Sequence, residues 1–231
     1  MTLRAILFDH DGTLVDSEPT HHRLWAQVLS NYGVSLSREQ YRLHYAGVPT
    51  PANARDVVRR FALPDSPETL AAAKNEATRA YLKSEPFPMM PGALRAIAAL
   101  HGLGLKLAVV TGAGSEGVKA TLAAHQLEKC FSAIVSGDDV RNSKRAPDCY
   151  LLALDRLGLR AEECLALEDT EHGVAAAVGA GIRCLALPSP MSSHHDFSRA
   201  TAVLGGMDES VEYVQRLLGK SPRSVEFASR A

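Results

Sequence analysis

The sequence predicts an α/β fold, a Rossmann-like doubly wound parallel sheet that carries an inserted helical unit. Short apolar runs alternate with helical patterns along most of the chain, as they do in βαβ units. One long interval, between Phe8 and Lys106, contains no strand-like run, although a simple crossover needs only about a dozen residues. A sheet with one large insertion explains both observations, and the length of 231 residues suits about one and a half domains.

Five short apolar runs have the composition of buried parallel strands. In chain order they are residues 3–8, 106–110, 133–135, 164–167 and 182–187. Helical patterns separate most of these runs, at residues 116–124, 147–157 and 171–180. Because parallel strands are joined by crossover helices, we expect helices on both faces of the sheet.

The long interval predicts a small helical unit. Apolar side chains recur at helical spacing in three stripes, formed by residues 25, 28, 29 and 32, by residues 54, 57, 58 and 61, and by residues 70, 73, 77 and 81. Thr50 and Ser66 each precede a proline, the pattern of an N-cap followed by proline at the first helical position. We therefore expect a core of residues 1–17 and 87–219, an inserted unit of residues 18–86 and a flexible tail of residues 220–231.

Charge and composition argue against several classes of partner. Lys and Arg number 25 and Asp and Glu number 26, so the net charge of −1 gives no electrostatic reason to expect nucleic acid or a membrane surface. The longest uncharged apolar stretch, residues 173–182, is about half a membrane span, and the run before Asp9 is too short for a signal peptide. Four well-separated cysteines indicate reduced thiols, so we expect a cytoplasmic protein, with a monomer as the default.

Polar residues follow the predicted strands at the edge where open parallel sheets bind ligands. The first strand is followed by residues 9–13, DHDGT, and the second by residues 111–115, TGAGS. The third is followed by a polar loop that contains Lys144, and the fourth by residues 168–170, EDT. Since the carboxyl ends of parallel strands meet at one edge, these side chains are expected to converge.

Four of the converging residues are carboxylates: Asp9, Asp11, Glu168 and Asp169. Asp9 and Asp11 stand two residues apart, so both side chains can face one ligand where the strand ends. A group of four carboxylates repels itself unless a hard cation is bound. Because the donors are all oxygen atoms, the group favours Mg²⁺ over Zn²⁺.

Lys144 and Thr111 complete the predicted site. They supply a charge and a hydroxyl donor, which are the groups that hold a phosphate. A single aspartate at a strand end is more often a helix cap or a turn residue. The combination of carboxylates, a lysine and a hydroxyl on one edge is what indicates phosphoryl transfer.

Four stretches resemble the motifs of the haloacid dehalogenase superfamily. The first motif is matched by residues 6–18, ILFDHDGTLVDSE, and the second by residues 109–112, VVTG. The third is matched by residues 144–148, KRAPD, and the fourth by residues 167–174, LEDTEHGV. The resemblance covers residues 2–218 and is greatest to the β-phosphoglucomutase-like phosphatases. In this superfamily the insertion after the first motif is a helical C1-type cap, so residues 18–86 are called the cap below.

The resemblance implies a mechanism. Asp9 would attack phosphorus and form an aspartyl-phosphate, while Asp11 would protonate the leaving alkoxide and later take a proton from water. Mg²⁺ would bind to Asp9, to the backbone carbonyl of Asp11 and to Asp169, with Glu168 as a direct or water-mediated ligand.

The remaining site residues are expected to contact the substrate. The core residues predicted to hold the phosphate are Thr111, Gly112, Ser115 and Lys144. Glu18 and His21 lie where the core passes into the cap, where they either reach the leaving group or act as hinge and helix-capping residues. His10 replaces the hydrophobic residue usual at its position, and we expect a packed or solvated side chain that points away from phosphorus.

The leading interpretation is a Mg²⁺-dependent phosphatase for a small phosphorylated metabolite. A sugar phosphomutase shares the first half-reaction, but residues 47–51, GVPTP, lack the arginine with which such relatives hold a second phosphate. Arg55, Arg59 and Arg60 are expected on a solvated helix face. A non-catalytic phospho-ligand binding protein would be expected to lack Asp9 or Asp11. A dehalogenase is disfavoured because those relatives dispense with the second aspartate and the magnesium site.

Overall fold

The computed structural model describes residues 2–220, so the predicted tail of residues 220–231 lies outside the described part except for Lys220. A six-stranded sheet runs through the described residues in the order β3-β2-β1-β4-β5-β6, with every pairing parallel. The strands are β1 (Ala5–Phe8), β2 (Lys106–Val110), β3 (Ala133–Val135), β4 (Cys164–Glu168), β5 (Arg183–Ala186) and β6 (Ala202–Val203). The predicted α/β class and parallel sheet are confirmed, and β6 is a strand that the sequence did not predict.

The strand order reverses between β1 and β4, which is where a doubly wound sheet opens a crevice for ligands. Phe8 pairs with Val109 on one side and with Leu167 on the other, so these three strands end at the same level. The residues that follow β1, β2 and β4 are therefore brought side by side.

Four helices occupy the long insertion: α1 (Glu18–Ser30), α2 (Arg38–His44), α3 (Thr50–Phe61) and α4 (Pro67–Ser84). They enclose an apolar cluster of their own around Trp25, Leu29, Tyr45 and Leu70. The helix α2 was not predicted, because its seven residues are too few to form a clear apolar stripe.

Two details of the predicted cap helices are wrong. Pro49, not Thr50, is the N-cap of α3, which has no side-chain cap, whereas Ser66 caps α4 as predicted by accepting from the Thr69 amide. On α4, Ala73 is exposed and Lys74 is buried instead. The other predicted positions, Leu70, Ala77 and Tyr81, pack in the apolar clusters, so the predicted stripe is wrong only at Ala73.

The core helices cover both faces of the sheet. They are α5 (Ala93–Gly102), α6 (Ser115–Ala124), α7 (Asp148–Leu157), α8 (Glu171–Gly179) and α9 (Met207–Leu217), with short 3₁₀ turns at Glu128–Cys130, Gly137–Asp139 and Ala161–Glu163. Ile6 and Phe8 face the apolar cluster that includes residues of α5, α6 and α9, while Ala5 and Leu7 face the cluster that includes α7 and α8. This alternation gives the layered arrangement expected of a doubly wound fold.

The loop after β5 reaches from the core to the cap. Met191 is 5% exposed and packs in the apolar cluster of the cap, and Arg42 of α2 donates to Nδ1 of His194 at 3.1 Å. Within residues 2–220, none of the helices is both long and apolar enough to cross a membrane. The four cysteines are free thiols.

Candidate active site

A cavity of about 620 Å³ lies between the carboxyl edge of the sheet and the cap. Its walls come from the core, from all four helices of the cap and from the loop before α3. The sequence-predicted residues that line it are Asp9, Asp11, Glu18, His21, Thr111, Gly112, Ser115, Lys144 and Asp169. Glu168 does not line the cavity and lies behind Lys144. The volume is in the range of small-molecule sites.

Lys144 joins two of the carboxylates. Its Nζ lies 2.6 Å from Oδ1 of Asp9, 2.6 Å from Oε1 of Glu168 and 2.7 Å from the carbonyl oxygen of Val110. Burial alone would lower the pKa of Lys144, but the two carboxylates outweigh burial and raise it. The lysine is therefore a permanent positive charge beside Asp9.

Asp9, Glu168 and Asp169 form a compact acidic group. Each offers one oxygen atom to a set in which all the atoms lie within 4.8 Å of one another, and all three residues are buried. Burial, together with the charges of Asp9 and Glu168, raises the pKa of Asp169 well above its ordinary value. Within residues 2–220, Oδ1 of Asp169 and Oε2 of Glu168 have no hydrogen-bond partner.

These observations fit a bound divalent cation. Buried carboxylate oxygens without partners are costly, and a hard cation satisfies them while removing their mutual repulsion. Gly12 brings the main chain against Asp169: its φ is +86°, and a Cβ atom there would lie 2.2 Å from Oδ2 of Asp169. The acidic group and the glycine together form a cradle of the kind that Mg²⁺ occupies.

Tyr150 of α7 fixes the carboxylate of Glu168. Its hydroxyl donates to Oε1 of Glu168 at 2.6 Å, on the same oxygen that Lys144 contacts. Burial raises the pKa of Glu168 to about 7 despite the neighbouring lysine. This contact could not be predicted from the sequence, because Tyr150 has the position of one more apolar residue on the stripe of α7.

Asp11 is surrounded by donors. Ser17 Oγ donates to its Oδ1 at 2.6 Å and Thr111 Oγ1 to its Oδ2 at 3.4 Å. His21 Nε2 lies 3.6 Å from Oδ1, and His10 Nδ1 lies 3.3 Å from Oδ2. Burial would raise the pKa of Asp11, but the two histidines outweigh burial and hold it well below its ordinary value.

The environment of His10 agrees only in part with the sequence-based expectation. The side chain is packed, with 1% of the residue exposed, and Nε2 lies 3.1 Å from the hydroxyl of Thr121. The other ring nitrogen is nevertheless in contact with Asp11. Of the packed and solvated states left open by the sequence, the structure shows the packed one, and the first motif did not indicate the contact with Thr121.

Glu18 joins three parts of the cap. Its carboxylate accepts from the Tyr41 hydroxyl at 2.5 Å and from the Gly47 amide at 2.8 Å. Burial raises the pKa of Glu18. Both oxygens are thus used within the cap, which favours the hinge interpretation, although the residue also lines the cavity. Ser17, at the N-cap position of α1, uses its hydroxyl on Asp11 and does not cap the helix.

Lys74 is a buried cation that the sequence analysis missed. Its Nζ lies 3.2 Å from Nδ1 of His21 and donates to Thr78 Oγ1 at 2.9 Å, and it lines the cavity from α4. Burial lowers its pKa from 10.5 to about 8. A lysine that interrupts an apolar helix stripe, four residues after Leu70, is the signal that could have identified it.

The turn after β2 has its own internal contacts. The hydroxyl of Thr111 accepts from the amide of Ala113 at 3.0 Å, and Ser143 Oγ donates to the carbonyl of Gly112 at 2.9 Å. The amide of Ser115, at the start of α6, donates to Asp138 at 2.9 Å. The structure therefore brings Thr111 and Gly112 beside Asp11 and Lys144, and holds Ser115 at the cavity wall through its main chain.

Comparison with known proteins identifies the family. The sequence profile of the haloacid dehalogenase-like hydrolases matches residues 3–181. The chain belongs to this family. The hydrolase is 35% identical over 180 residues to the fructose-1-phosphate phosphatase YqaB of Escherichia coli K12. The alignment covers 77% of the hydrolase and 93% of YqaB.

A second relative is known by sequence and by structure. The hydrolase is 32% identical over 228 residues to protein CbbY of Cereibacter sphaeroides, covering 90% of the hydrolase and 94% of CbbY. The crystal structure of CbbY from Rhodobacter sphaeroides in complex with phosphate superposes with a TM-score of 0.78 at 30% identity, covering 90% and 96% of the two chains. The superfamily predicted from the motifs is confirmed, and the hydrolase is a phosphoric monoester hydrolase.

Proposed function

We propose that the protein is a Mg²⁺-dependent phosphatase that hydrolyses a small sugar phosphate through a phosphoryl group carried on Asp9. The observation that carries the proposal is the pairing of Asp9 with Lys144 at 2.6 Å, within an acidic group that has unpartnered oxygens. Burial raises the pKa of Asp9, and the charge of Lys144 opposes this rise and so favours the ionised, nucleophilic carboxylate.

In the first half-reaction a carboxylate oxygen of Asp9 attacks phosphorus and the bond to the ester oxygen breaks. Asp11 gives its proton to the leaving alkoxide, so the product departs as an alcohol. The pKa of Asp11 is low in the free protein, and a phosphate dianion in the cavity raises it again by charge repulsion. Thr111 and Lys144 stabilise the equatorial oxygens through their hydroxyl and ammonium groups.

In the second half-reaction water attacks phosphorus on the aspartyl-phosphate. Asp11, now a carboxylate, takes the proton from water, and the bond between phosphorus and Asp9 breaks to release inorganic phosphate. Both half-reactions use the same two residues, so the donors around Asp11 have to keep its carboxylate aimed at one point.

The cation would be held by Asp9, Asp169 and the backbone carbonyl of Asp11, with Glu168 as a direct or water-mediated ligand. When bound, Mg²⁺ supplies positive charge that neutralises the acidic group and the phosphate oxygens. Support comes from the raised pKa values of Glu168 and Asp169, which mark carboxylates that lack enough positive charge around them.

A sugar phosphate is the substrate class that the cavity and the relatives favour. The cavity of about 620 Å³ is large enough for a hexose phosphate and is lined by polar groups from the cap, including Asn75, Thr78 and Arg79. YqaB carries the name of a fructose-1-phosphate phosphatase. We therefore propose fructose 1-phosphate as the first compound to test.

Water, and not a second sugar hydroxyl, is the proposed acceptor. A mutase needs a fixed cation for the second phosphate, ideally an arginine. Arg59 and Arg60 of α3 instead pair with Asp56, at 2.6 and 3.1 Å, and neither lines the cavity. Of the cap cations that do line it, Arg79 pairs with Glu76 at 2.6 Å, and Lys74 is engaged with His21 and Thr78.

The test is a screen of phosphorylated metabolites with Mg²⁺, in which released phosphate is measured. We expect turnover of fructose 1-phosphate or a related sugar phosphate, and trapping of the Asp9 position by beryllium fluoride. In a second arm, β-glucose 1-phosphate is supplied with and without glucose 1,6-bisphosphate. Isomerisation that is stimulated by the bisphosphate and outpaces phosphate release would favour the mutase.

A further inference from the structure

The two oxygens of the Asp11 carboxylate face different parts of the molecule. Oδ1 is contacted by Ser17 at 2.6 Å and lies 3.6 Å from His21, and these two residues belong to the segment that enters the cap. Oδ2 lies 3.3 Å from His10 and 3.4 Å from Thr111, which follow strands β1 and β2 of the core. The carboxylate is therefore held between a cap side and a core side.

His10 is itself fixed within the core. Its Nε2 is paired with the hydroxyl of Thr121 on α6 at 3.1 Å, and its ring centroid lies 6.5 Å from that of Phe87. Gly117 leaves room for both rings, because a Cβ atom there would lie 3.2 Å from Phe87 and 3.5 Å from His10. Turning the buried imidazole would leave polar atoms without partners, which is costly.

We propose that His10 is a positioning residue that keeps the Asp11 carboxylate aimed at the reaction centre from the core side. The inference rests on the proposed function, in which Asp11 moves a proton in both half-reactions. If the cap moves away from the core, the contact of His21 with Oδ1 moves with it. The contact of His10 with Oδ2 stays, because His10 is anchored to α6 by Thr121.

A consequence follows for the choice of acceptor. After the alcohol product leaves, the aspartyl-phosphate reacts with water only if Asp11 is in position to take the proton. With His10 in place, this position does not depend on the cap. The phosphoenzyme is then hydrolysed before another alcohol enters, which favours a phosphatase over a transferase.

The test compares two substrates that differ in their need for an acid. An alkyl phosphate such as fructose 1-phosphate releases an alkoxide, which needs the proton from Asp11. The p-nitrophenyl ester releases a phenolate that is stable without a proton. Because kcat/KM reports the steps up to formation of the phosphoenzyme, the ratio of kcat/KM for the two substrates isolates the positioning of Asp11.

In His10→Leu we expect kcat/KM for the alkyl ester to fall by about 10- to 100-fold, a fraction of what loss of the general acid itself costs. For p-nitrophenyl phosphate we expect a fall of no more than about threefold in kcat/KM. The variant should also transfer more phosphate to added glycerol relative to water. In His10→Asn, which keeps a donor near the position of Nδ1, the ratio should return towards that of the unaltered chain.

Thr121 provides a variant that does not touch Asp11. Thr121→Val removes the anchor of His10 and should lower the alkyl-to-aryl ratio in the same direction by a smaller factor, whereas Thr121→Ser should preserve it. Leu122→Met, on the same helix and equally buried, is the packing control and should leave the ratio unchanged.

The proposal is overturned if His10→Leu lowers kcat/KM equally for both esters, or lowers neither, while the protein remains folded. If His10→Leu does not fold, Thr121→Val and Thr121→Ser are compared instead. The proposal is overturned if Thr121→Val leaves the alkyl-to-aryl ratio of kcat/KM unchanged. If the unaltered chain is a phosphatase but the alkyl-to-aryl ratio of kcat/KM is the same in the variants, only the inference about His10 is overturned. Absence of any phosphatase activity in the unaltered chain removes the proposed function and this inference with it.

Discussion

Two buried lysines line the cavity from opposite sides. At the edge of the sheet, Lys144 lies 2.6 Å from the carboxylates of Asp9 and Glu168, and these contacts raise its pKa. On the cap side, Lys74 lies against the imidazole of His21 and a hydroxyl, and burial lowers its pKa to about 8. Both side chains are removed from water, but only at Lys144 do neighbouring carboxylates outweigh the effect of burial on the pKa.

The difference teaches what each side of the cavity is suited to do. The strand edge concentrates permanent charge, with carboxylates that need a cation and a lysine that stays protonated, as phosphoryl transfer requires. On the cap side burial acts against the charged forms of two groups, lowering the pKa of Lys74 and raising that of Glu18. Groups of this kind suit the hydroxyl groups of a sugar better than a second phosphate dianion.

The largest expected effect tests the strand edge at Asp9. Asp9→Asn removes the nucleophile, so we expect phosphate release to fall by about 10⁴-fold or more. Asp16→Asn, an exposed residue of the same motif, is the matched control and should remain active. Near-normal turnover by Asp9→Asn would show that the reaction does not pass through a phosphoryl group on this residue.

Removal of metal tests the same edge without a substitution. Excess chelator should abolish turnover and Mg²⁺ should restore it, while Ca²⁺, with its looser coordination, should restore little. Mg²⁺ should also raise the thermal midpoint, by an amount that grows with the logarithm of its concentration above the Kd, because it binds the folded acidic group. Full activity in excess chelator, together with a thermal midpoint that does not change when Mg²⁺ is added, would contradict the cation site.

Asp11 lies between the two sides, and its substitution should have an intermediate effect. Asp11→Asn removes the proton donor but keeps the main chain, so turnover of an alkyl phosphate should fall by about 10²- to 10⁴-fold. The stabilisation by Mg²⁺ should persist, because the predicted ligand here is the backbone carbonyl. Loss of the Mg²⁺ effect on the thermal midpoint would instead give the Asp11 side chain a role at the cation.

The smallest effect is expected on the cap side, as a change in stability. The folded pKa of Lys74 is below its unfolded value, so the protonated lysine opposes folding below pH 8, and this penalty disappears as the pH rises towards 10.5. At about 1.4 kcal/mol per pKa unit, Lys74→Met should raise the free energy of unfolding at pH 7 by up to about 3 kcal/mol.

Urea denaturation of Lys74→Met without Mg²⁺ is the measurement, at pH 7 and again at pH 9.5, where the gain should shrink. Lys83→Met on the same helix is exposed and serves as the control, with little change expected at either pH. A variant less stable than the unaltered chain at pH 7 would mean that the contacts of Lys74 with His21 and Thr78 outweigh its burial.

The sequence predicted the parts of this molecule that depend on local pattern. Five strands are apolar runs with polar ends, so their residues and their parallel pairing could be read directly. The strand β6 was missed because two residues, Ala202–Val203, are too short for any periodicity. The position of Asp9 beside Lys144 followed from the strand-edge rule, although 135 positions separate them in the chain.

Contacts between helices could not be predicted from the sequence. The predicted stripe of α4 was right at Leu70, Ala77 and Tyr81 but wrong at Ala73, and it did not indicate that Lys74 is buried. In the sequence, Tyr150 on α7 and Tyr41 on α2 look like ordinary core residues. The packing of the helices places the hydroxyl of Tyr150 on Glu168 and that of Tyr41 on Glu18. Such pairs depend on three-dimensional distances that a linear pattern does not contain.

The loop after β5 attaches the cap to the core through Met191. The chain crosses between the two parts twice, near Ser17 and near Phe87, and Met191 from the loop after β5 adds a noncovalent connection in the apolar cluster of the cap. Withdrawing a buried methionine into water costs about 1.5–3 kcal/mol. A cap that opens fully must therefore either expose this side chain or carry residues 188–196 along, so the loop and the cap share a single opening equilibrium.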